Sequence, residues 1–199
     1  MSTQLAQVLD RTFGHPRGLL GRIGGAVMAR GNAATERHVV EVAGLAPDET
    51  VLVLGPGPGI GLAAAAERAS LAIAVDPSEE MLEQCRQRCA SAVADGTVRL
   101  RLGSAEDTGQ ETGSVDVVLS VNSVQLWEDR PAAYAELLRV LRPGGRLVLS
   151  AHEKWLPVPR HELARELAAA GFTDLQTWVW DPPGRAAARA AQLRAHAPR

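Results

Sequence analysis

The sequence predicts an α/β protein organised on a doubly wound, mostly parallel sheet. Three observations carry that expectation. Short apolar runs alternate with helical patterns five times between residues 50 and 170, the order that closes a parallel sheet between layers of helix. The first run, Val51 to Leu54, meets four glycines on alternate positions, Gly55, Gly57, Gly59 and Gly61, with an Ala-rich segment behind them; this reads as strand, tight turn and helix. The chemically suggestive residues fall at the ends of the predicted strands, where ligands sit in such sheets.

The front of the chain reads as helical. Leu5, Val8, Leu9 and Phe13 recur at helical spacing, Gly14-His15-Pro16 interrupts, and residues 18–30 form a second helix weakened by Gly24 and Gly25. Thr35 to Gly44 reads as a third, with Asn32 or Thr35 as cap and Gly44 as its end. Residues 1–46 are expected to form a helical N-terminal cap, a candidate lid, over a core of residues 47–199, all within one domain spanning 1–199.

The alternation then starts. Strand 51–55 is followed by a helix over 59–69. Leu71 to Val75 is the second strand, and Ser78 opens a helix to Ala92, with Glu79 and Glu80 favouring its start and Met81, Leu82, Cys85 and Cys89 as its apolar stripe. Val98, Leu100 and Leu102 alternate with Arg99 and Arg101 as the third strand. Val115 to Val121 is a continuous apolar run, as a buried parallel strand requires. Asp129 caps a helix that Pro131 opens and Leu141 ends. Pro143-Gly144-Gly145 turns into the fifth strand, Arg146 to Ala151. A last helix, Arg160 to Ala170, closes at Gly171. Residues 172–180 alternate as a strand, and Asp181-Pro182-Pro183-Gly184 turns the chain toward a short strand near 188–195, against that segment's helical propensity.

Composition narrows the function. The 199 residues carry a formal net charge of −2, so nothing electrostatic favours nucleic acid or an anionic membrane. No apolar run approaches the ~20 residues of a spanning helix, and no secretory signal opens the chain, so a cytoplasmic address is expected. Cys85 and Cys89 share a helix face, but no further ligands stand at metal spacing, so they read as reduced thiols rather than a metal site.

The turn and the next strand end specify a ligand class. Glycine without a Cβ lets backbone approach a ligand. Asp76 ends the second strand 21 residues beyond Gly55, where a carboxylate accepts hydrogen bonds from a ribose diol; the competing reading is a helix N-cap. A dinucleotide turn wants a third glycine at Ile60 or Leu62, and neither is one.

The stretches VLVLGPGPGIGL, AVDPSEEMLEQC, GSAED, VDVVLSVNSVQLWED and LRVLRPGGRLVLS, in order and at normal spacing, resemble the successive motifs of class I S-adenosylmethionine-dependent methyltransferases of the small-molecule, ubiquinone-biosynthesis-like type. The resemblance runs from about residue 48 to 180 and implies a Rossmann-like sheet ending in an antiparallel hairpin. It implies that Gly55, Gly57 and Gly59 lie beneath the methionine and ribose of S-adenosyl-L-methionine, that Asp76 binds the ribose, and that Pro77 and Met81 border the adenine. It implies too that Ser104, Ala105 and Glu106 lie at the adenine edge and that Ser120 and Asn122 flank the methionine.

Two departures from the family pattern stand out: Val53 where an acid is usual, and Ser104 where Asp is frequent. Gln125, Trp127, Trp155, His15 and His38 are candidates for the acceptor pocket, and His152, just past strand five, for a general base. The implied activity is in-line methyl transfer to a small molecule, leaving S-adenosyl-L-homocysteine, by a monomer or homodimer. A non-catalytic cofactor binder and a nicotinamide-dependent oxidoreductase are the alternatives.

Overall fold

The computed structural model describes residues 32–183 and 188–199. A first helix, α1, covers residues 32–43. There follow β1 (Thr50–Leu54), α2 (Ile60–Ala66), β2 (Leu71–Asp76), α3 (Glu79–Arg88), α4 (Ala90–Ala94), β3 (Val98–Leu102), β4 (Val115–Val121), α5 (Arg130–Val140), β5 (Leu141–His152), α6 (Arg160–Ala170), β6 (Thr173–Trp180) and β7 (Ala190–His196). The seven strands form one sheet in the order β3-β2-β1-β4-β5-β7-β6. β1 to β5 pair in parallel, and β7 runs antiparallel between β5 and β6. Strand order reverses between β1 and β4, the position where such sheets bind ligands.

Successive strand residues point to opposite faces, and the core divides accordingly. Val51, Val53, Ala72, Ala74, Val117, Leu119 and Val148 face a layer made by α1, α2 and α3, through Val39, Val40, Leu62, Ala65 and Cys85. Leu52, Leu54, Ile73, Val118, Leu147 and Leu149 face α5 and α6, through Tyr134, Leu137, Leu163 and Leu167. The predicted caps at Ser78 and Asp129 are made: Ser78 accepts from the Met81 amide and Asp129 from that of Ala132. Gly171 closes α6 in the left-handed region, at φ 109°.

Several boundaries differ from the sequence reading; the helix expected over 59–69 spans only Ile60–Ala66. The helix expected to run from Ser78 to Ala92 breaks at Cys89 (φ −105°, ψ 30°) into α3 and α4. Propensity does not register this break, because the residues around it are good helix formers. The fifth strand begins at Leu141, not Arg146. Its pairing jumps from Val115–Leu141 to Val117–Arg146, so Pro143-Gly144-Gly145 is a bulge inside the strand. The third predicted helix starts by residue 32, leaving Thr35 within it and buried without a hydrogen-bond partner; neither Asn32 nor Thr35 caps it. The two helices expected before residue 31, the greater part of the proposed cap, and Gly184 of the hairpin turn lie outside the described residues.

Arg146 ties α1 to the sheet. Its guanidinium donates to the Ala43 and Gly44 carbonyls at 2.6 and 3.0 Å and to both Glu49 oxygens at 2.6 and 2.8 Å. A cation on the last carbonyls of a helix also meets the negative end of its dipole. Arg146→Ala is expected to lower stability by about 2–3 kcal/mol, measured as a lower denaturant midpoint at unchanged slope. The Arg146 hydrogen bond holds the Glu49 carboxyl below its usual value. The sign follows: this contribution is present above the unfolded carboxyl range and is lost as pH falls through the folded value.

Candidate active site

The glycine turn begins where β1 ends. Gly55 donates its amide to the Val75 carbonyl at 3.0 Å, which sets the turn beside Asp76. Gly55, Gly57 and Gly59 have φ of 61°, 51° and 85°, a region that residues with a Cβ enter at a cost. The three differ in what surrounds them. A Cβ on Gly55 would stand 2.7 Å from Ser123 Cβ, and one on Gly59 3.1 Å from Cys85 Sγ. A Cβ on Gly57 would meet nothing within 4 Å. The protein closes on the outer two and leaves room above the middle one.

Side chains from two other helices hold this turn. Cys85 Sγ donates to the Gly57 carbonyl at 3.2 Å, and Arg88 Nε to the Pro58 carbonyl at 2.6 Å, both from α3. The Gly61 amide donates to Glu36 Oε2 of α1 at 2.6 Å. Burial pushes the Cys85 and Cys89 thiols up from their ordinary values, so both are unreactive.

Asp76 is buried at the end of β2, and its Oδ1 accepts from the Ser78 amide at 2.8 Å. The N-cap of α3 is Ser78 and not Asp76, but Asp76 supports the helix start by holding the Ser78 amide. This engages Oδ1 in shaping the head of α3, where Met81 is buried and Pro77 exposed. After β3, the Ser104 hydroxyl accepts from the Glu106 and Asp107 amides, both at 3.2 Å, and so shapes its own loop. Ala105 is buried in the core, and Glu106 Oε1 accepts from the Asp129 amide at 3.2 Å.

The ends of β4 and β5 are joined through Asn122, held at φ 54°. Its amide donates to the Ser150 carbonyl at 2.7 Å, its Oδ1 accepts from the His152 amide at 2.9 Å, and its carbonyl accepts from Gln125 Nε2 at 2.7 Å. Asn122 Nδ2 and Gln125 Oε1 are buried without a partner. Each such atom costs about 1–3 kcal/mol when left unpaired. Ser120 is hydrogen-bonded to Ser123, whose hydroxyl also accepts from Trp127 Nε1 at 3.3 Å.

His152 Nε2 lies 3.1 Å from Asn32 Oδ1, and its Nδ1 is buried without a hydrogen-bond partner. Burial lowers its pKa from the usual value, with the Ala188 backbone opposing, so the ring is neutral at pH 7. Strand register sets His152, Ala190 and Trp180 in one row, and His38 stacks on Trp180 with centroids 4.0 Å apart and planes 6° apart.

The pocket candidates thus separate. Gln125 joins the Asn122 cluster. His38 lies over Trp180, at the same sheet edge. Trp127 packs edge-on against Tyr134 at 6.0 Å and against the core, and Trp155 carries the Lys154 ammonium 5.2 Å from its ring centroid. His15 lies outside the described residues. Four residues of this edge were not singled out as site residues from the sequence, Asn32 having been read only as a helix cap. Ser123 and Trp180 follow or end predicted strands and were within reach of that rule. Asn32 and Glu36 carry no signal, because only the packing of α1 brings them here.

The edge suits an adenosyl cofactor. It offers open room above Gly57, a carboxylate one strand away, and unpaired polar atoms at the end of β4. Among the described residues, no group of three or more His, Cys, Asp or Glu stands where it could hold a metal ion, and no helix is long and apolar enough to cross a membrane.

Comparison with known proteins points the same way. Residues 52–149, about half of the chain, match the family model described as a methyltransferase domain. An uncharacterized methyltransferase of Bacillus subtilis is 28% identical over 163 residues, covering 77% of this chain and 87% of that one. One from Mycobacterium tuberculosis is 42% identical over 99 residues, half of this chain but 38% of the relative. A solved SAM-dependent methyltransferase from Aquifex aeolicus superposes with a TM-score of 0.69 at 16% identity, covering 99% of both chains. A glycine turn at the reversal of strand order, an acid closing the neighbouring strand and a C-terminal antiparallel hairpin complete the pattern, and the chain belongs to the class I S-adenosylmethionine-dependent methyltransferase family.

Proposed function

We propose that the protein transfers the methyl group of S-adenosylmethionine to a small-molecule acceptor, releasing S-adenosylhomocysteine. One observation carries the reading: a turn of three left-handed glycines, with open space only above Gly57, is hydrogen-bonded to the end of β2 one residue before Asp76. Gly55, Gly57 and Gly59 would pass beneath the methionine and ribose, and Asp76 would accept from the ribose hydroxyls. Pro77, Met81, Ser104, Ala105 and Glu106 would border the adenine, with Ser120 and Asn122 beside the methionine. Bound there, the cofactor supplies a methyl group already activated on a sulfonium sulfur. The chain then has to align the acceptor and keep water out. Where the acceptor atom holds a proton, His152, at the same sheet edge, would be the group to take it. Gln125, His38 and Trp155 would help form the acceptor pocket, completed by His15 and Trp127. The reading treats residues 1–199 as one cytoplasmic domain, monomeric or homodimeric.

Calorimetric titration with S-adenosylmethionine, S-adenosylhomocysteine and NADH tests this directly. Binding of both sulfur compounds without NADH is expected; the reverse result ends the proposal. His152→Asn is expected to lower kcat by about 100-fold, on the scale of general-base catalysis, and to remove the acidic limb of the pH–rate profile. Its affinity for S-adenosylhomocysteine should stay within about twofold, since His152 is a proton acceptor and not a cofactor contact in this reading. A lost affinity with kcat intact would make His152 a post for Asn32 instead.

A second reading rests on Val53. It is buried between Ala74 and Leu119, so no carboxylate precedes the first glycine. A binder without chemistry would take up both sulfur compounds and turn over no acceptor from a panel of phenols, amines, thiols and carbon acids.

A further inference from the structure

Glu36 is a buried carboxylate on the inner side of α1, with 8% of its surface exposed. Its Oε2 accepts from the Gly61 amide at 2.6 Å, across 25 residues of sequence. A Cβ on Gly61 would stand 3.3 Å from that oxygen, so the glycine also admits the carboxylate to the backbone. The same turn is held from the opposite helix by Cys85 on the Gly57 carbonyl and Arg88 on the Pro58 carbonyl. α1 reaches the rest of the site as well. Asn32, one helical turn before Glu36, meets His152, and His38 meets Trp180.

We propose that Glu36 is a positioning residue for the cofactor turn: carried in on α1, its carboxylate holds the Gly61 amide and thereby sets the shape in which Gly55 to Gly59 meet the ligand. The inference rests on the cofactor reading above. It adds a residue that touches no reacting atom and couples α1 to the turn.

The contact is sensitive to pH. Burial raises the Glu36 carboxyl to about 7, against the Gly61 amide, Arg88 and Arg37, which lower it. The groups facing it are Arg88 and the Cys85 thiol from α3 and Arg37 from its own helix. The first turn of α2, Ile60-Gly61-Leu62, and the strand residues Val51 and Val53 bring no charge. The ionised carboxylate accepts a stronger, charge-assisted bond from Gly61 than the protonated one does, so the turn is held more firmly above pH 7.

Stability runs the other way. A carboxyl raised on folding contributes fully below its unfolded value, and that contribution is lost as pH rises through the folded value near 7. Glutamine keeps an acceptor oxygen without the buried charge. Glu36→Gln should therefore melt higher than wild type at pH 8 and equally at pH 5, while binding its ligand less well at pH 8.

The experiment measures S-adenosylhomocysteine affinity by calorimetry at pH 6 and pH 8 for wild type, Glu36→Gln and Glu36→Ala. Amide exchange of residues 55–62 is followed in the same proteins without ligand. Wild type is expected to bind about fivefold more tightly at pH 8, the difference between a charge-assisted and a neutral hydrogen bond. Glu36→Gln is expected to match wild type at pH 6 and to show no gain at pH 8, which also subtracts the ligand's own protons. Glu36→Ala is expected to bind at least about tenfold more weakly at both, with faster exchange at Gly61.

Equal affinity of all three proteins at both pH values, or unchanged exchange at Gly61 in Glu36→Ala, overturns the inference. A wild-type chain that binds no S-adenosylhomocysteine at either pH overturns the cofactor reading instead, and the exchange measurement still decides whether Glu36 holds the turn.

Discussion

Gly57→Ala is expected to fold and lose its cofactor, whereas Gly55→Ala is expected to lose the turn itself. Both residues have positive φ, so an added Cβ costs each about 1–2 kcal/mol of backbone strain. Only Gly55 meets a wall. Its new Cβ would stand 2.7 Å from Ser123 Cβ, and Ser123 cannot retreat, because Ser120 and Trp127 hold its hydroxyl. Overpacking of this kind adds about 1–3 kcal/mol, so a total near 3 kcal/mol is expected for Gly55→Ala. Gly57→Ala, with nothing within 4 Å, should show only the strain. Its methyl would instead occupy the room assigned to the ligand, and S-adenosylhomocysteine affinity should fall by more than about tenfold, since displaced contacts on that scale cost upward of 1.4 kcal/mol. Thermal melts and calorimetry on the two variants separate the effects. A Gly57→Ala protein that melts near wild type and binds normally would refute the placement of the cofactor above this turn.

Asp76→Asn should reduce affinity for S-adenosylhomocysteine by about 1–3 kcal/mol, the scale of lost charge-assisted hydrogen bonds, with little change in stability. Asparagine keeps an oxygen for the Ser78 amide, which Asp76 Oδ1 now accepts at 2.8 Å, but surrenders the charge offered to the ribose. Asp76→Ala should lose the same affinity and also about 1 kcal/mol or more of stability, because it leaves the buried Ser78 amide without its partner. The pair of variants divides the two roles that the sequence left in competition. Unchanged binding by Asp76→Asn would assign this carboxylate to the helix start alone.

The parallel sheet and the glycine turn at its edge were legible because they rest on short-range patterns. The alternation of apolar runs with helical stripes is visible within a few residues of any point. Glycines at a strand end and capping residues such as Ser78 and Asp129 act on their immediate neighbours. The final hairpin went against local preference and still formed. Residues 190–196 have helical propensity, yet Ala190, Ala191, Gln192, Leu193 and Ala195 are buried and β7 pairs on both sides. Ladders on both sides and a small-residue core position outweigh a propensity difference of a few tenths of a kcal/mol per residue.

What escaped the sequence depends on contacts between distant elements. Glu36 reads as one more charged residue on a helix until α1 is packed against α2 and its carboxylate reaches Gly61. Asn32 likewise acquires a role only beside His152, and Trp180 only when β7 sets it in the row of His152. The sequence by itself determined the family, the sheet and the glycine turn, since local chemistry encodes each. The tertiary structure alone decided which glycines the protein closes on, which one it leaves open, and which carboxylate from α1 holds the turn, because those depend on distances that no stretch of sequence contains.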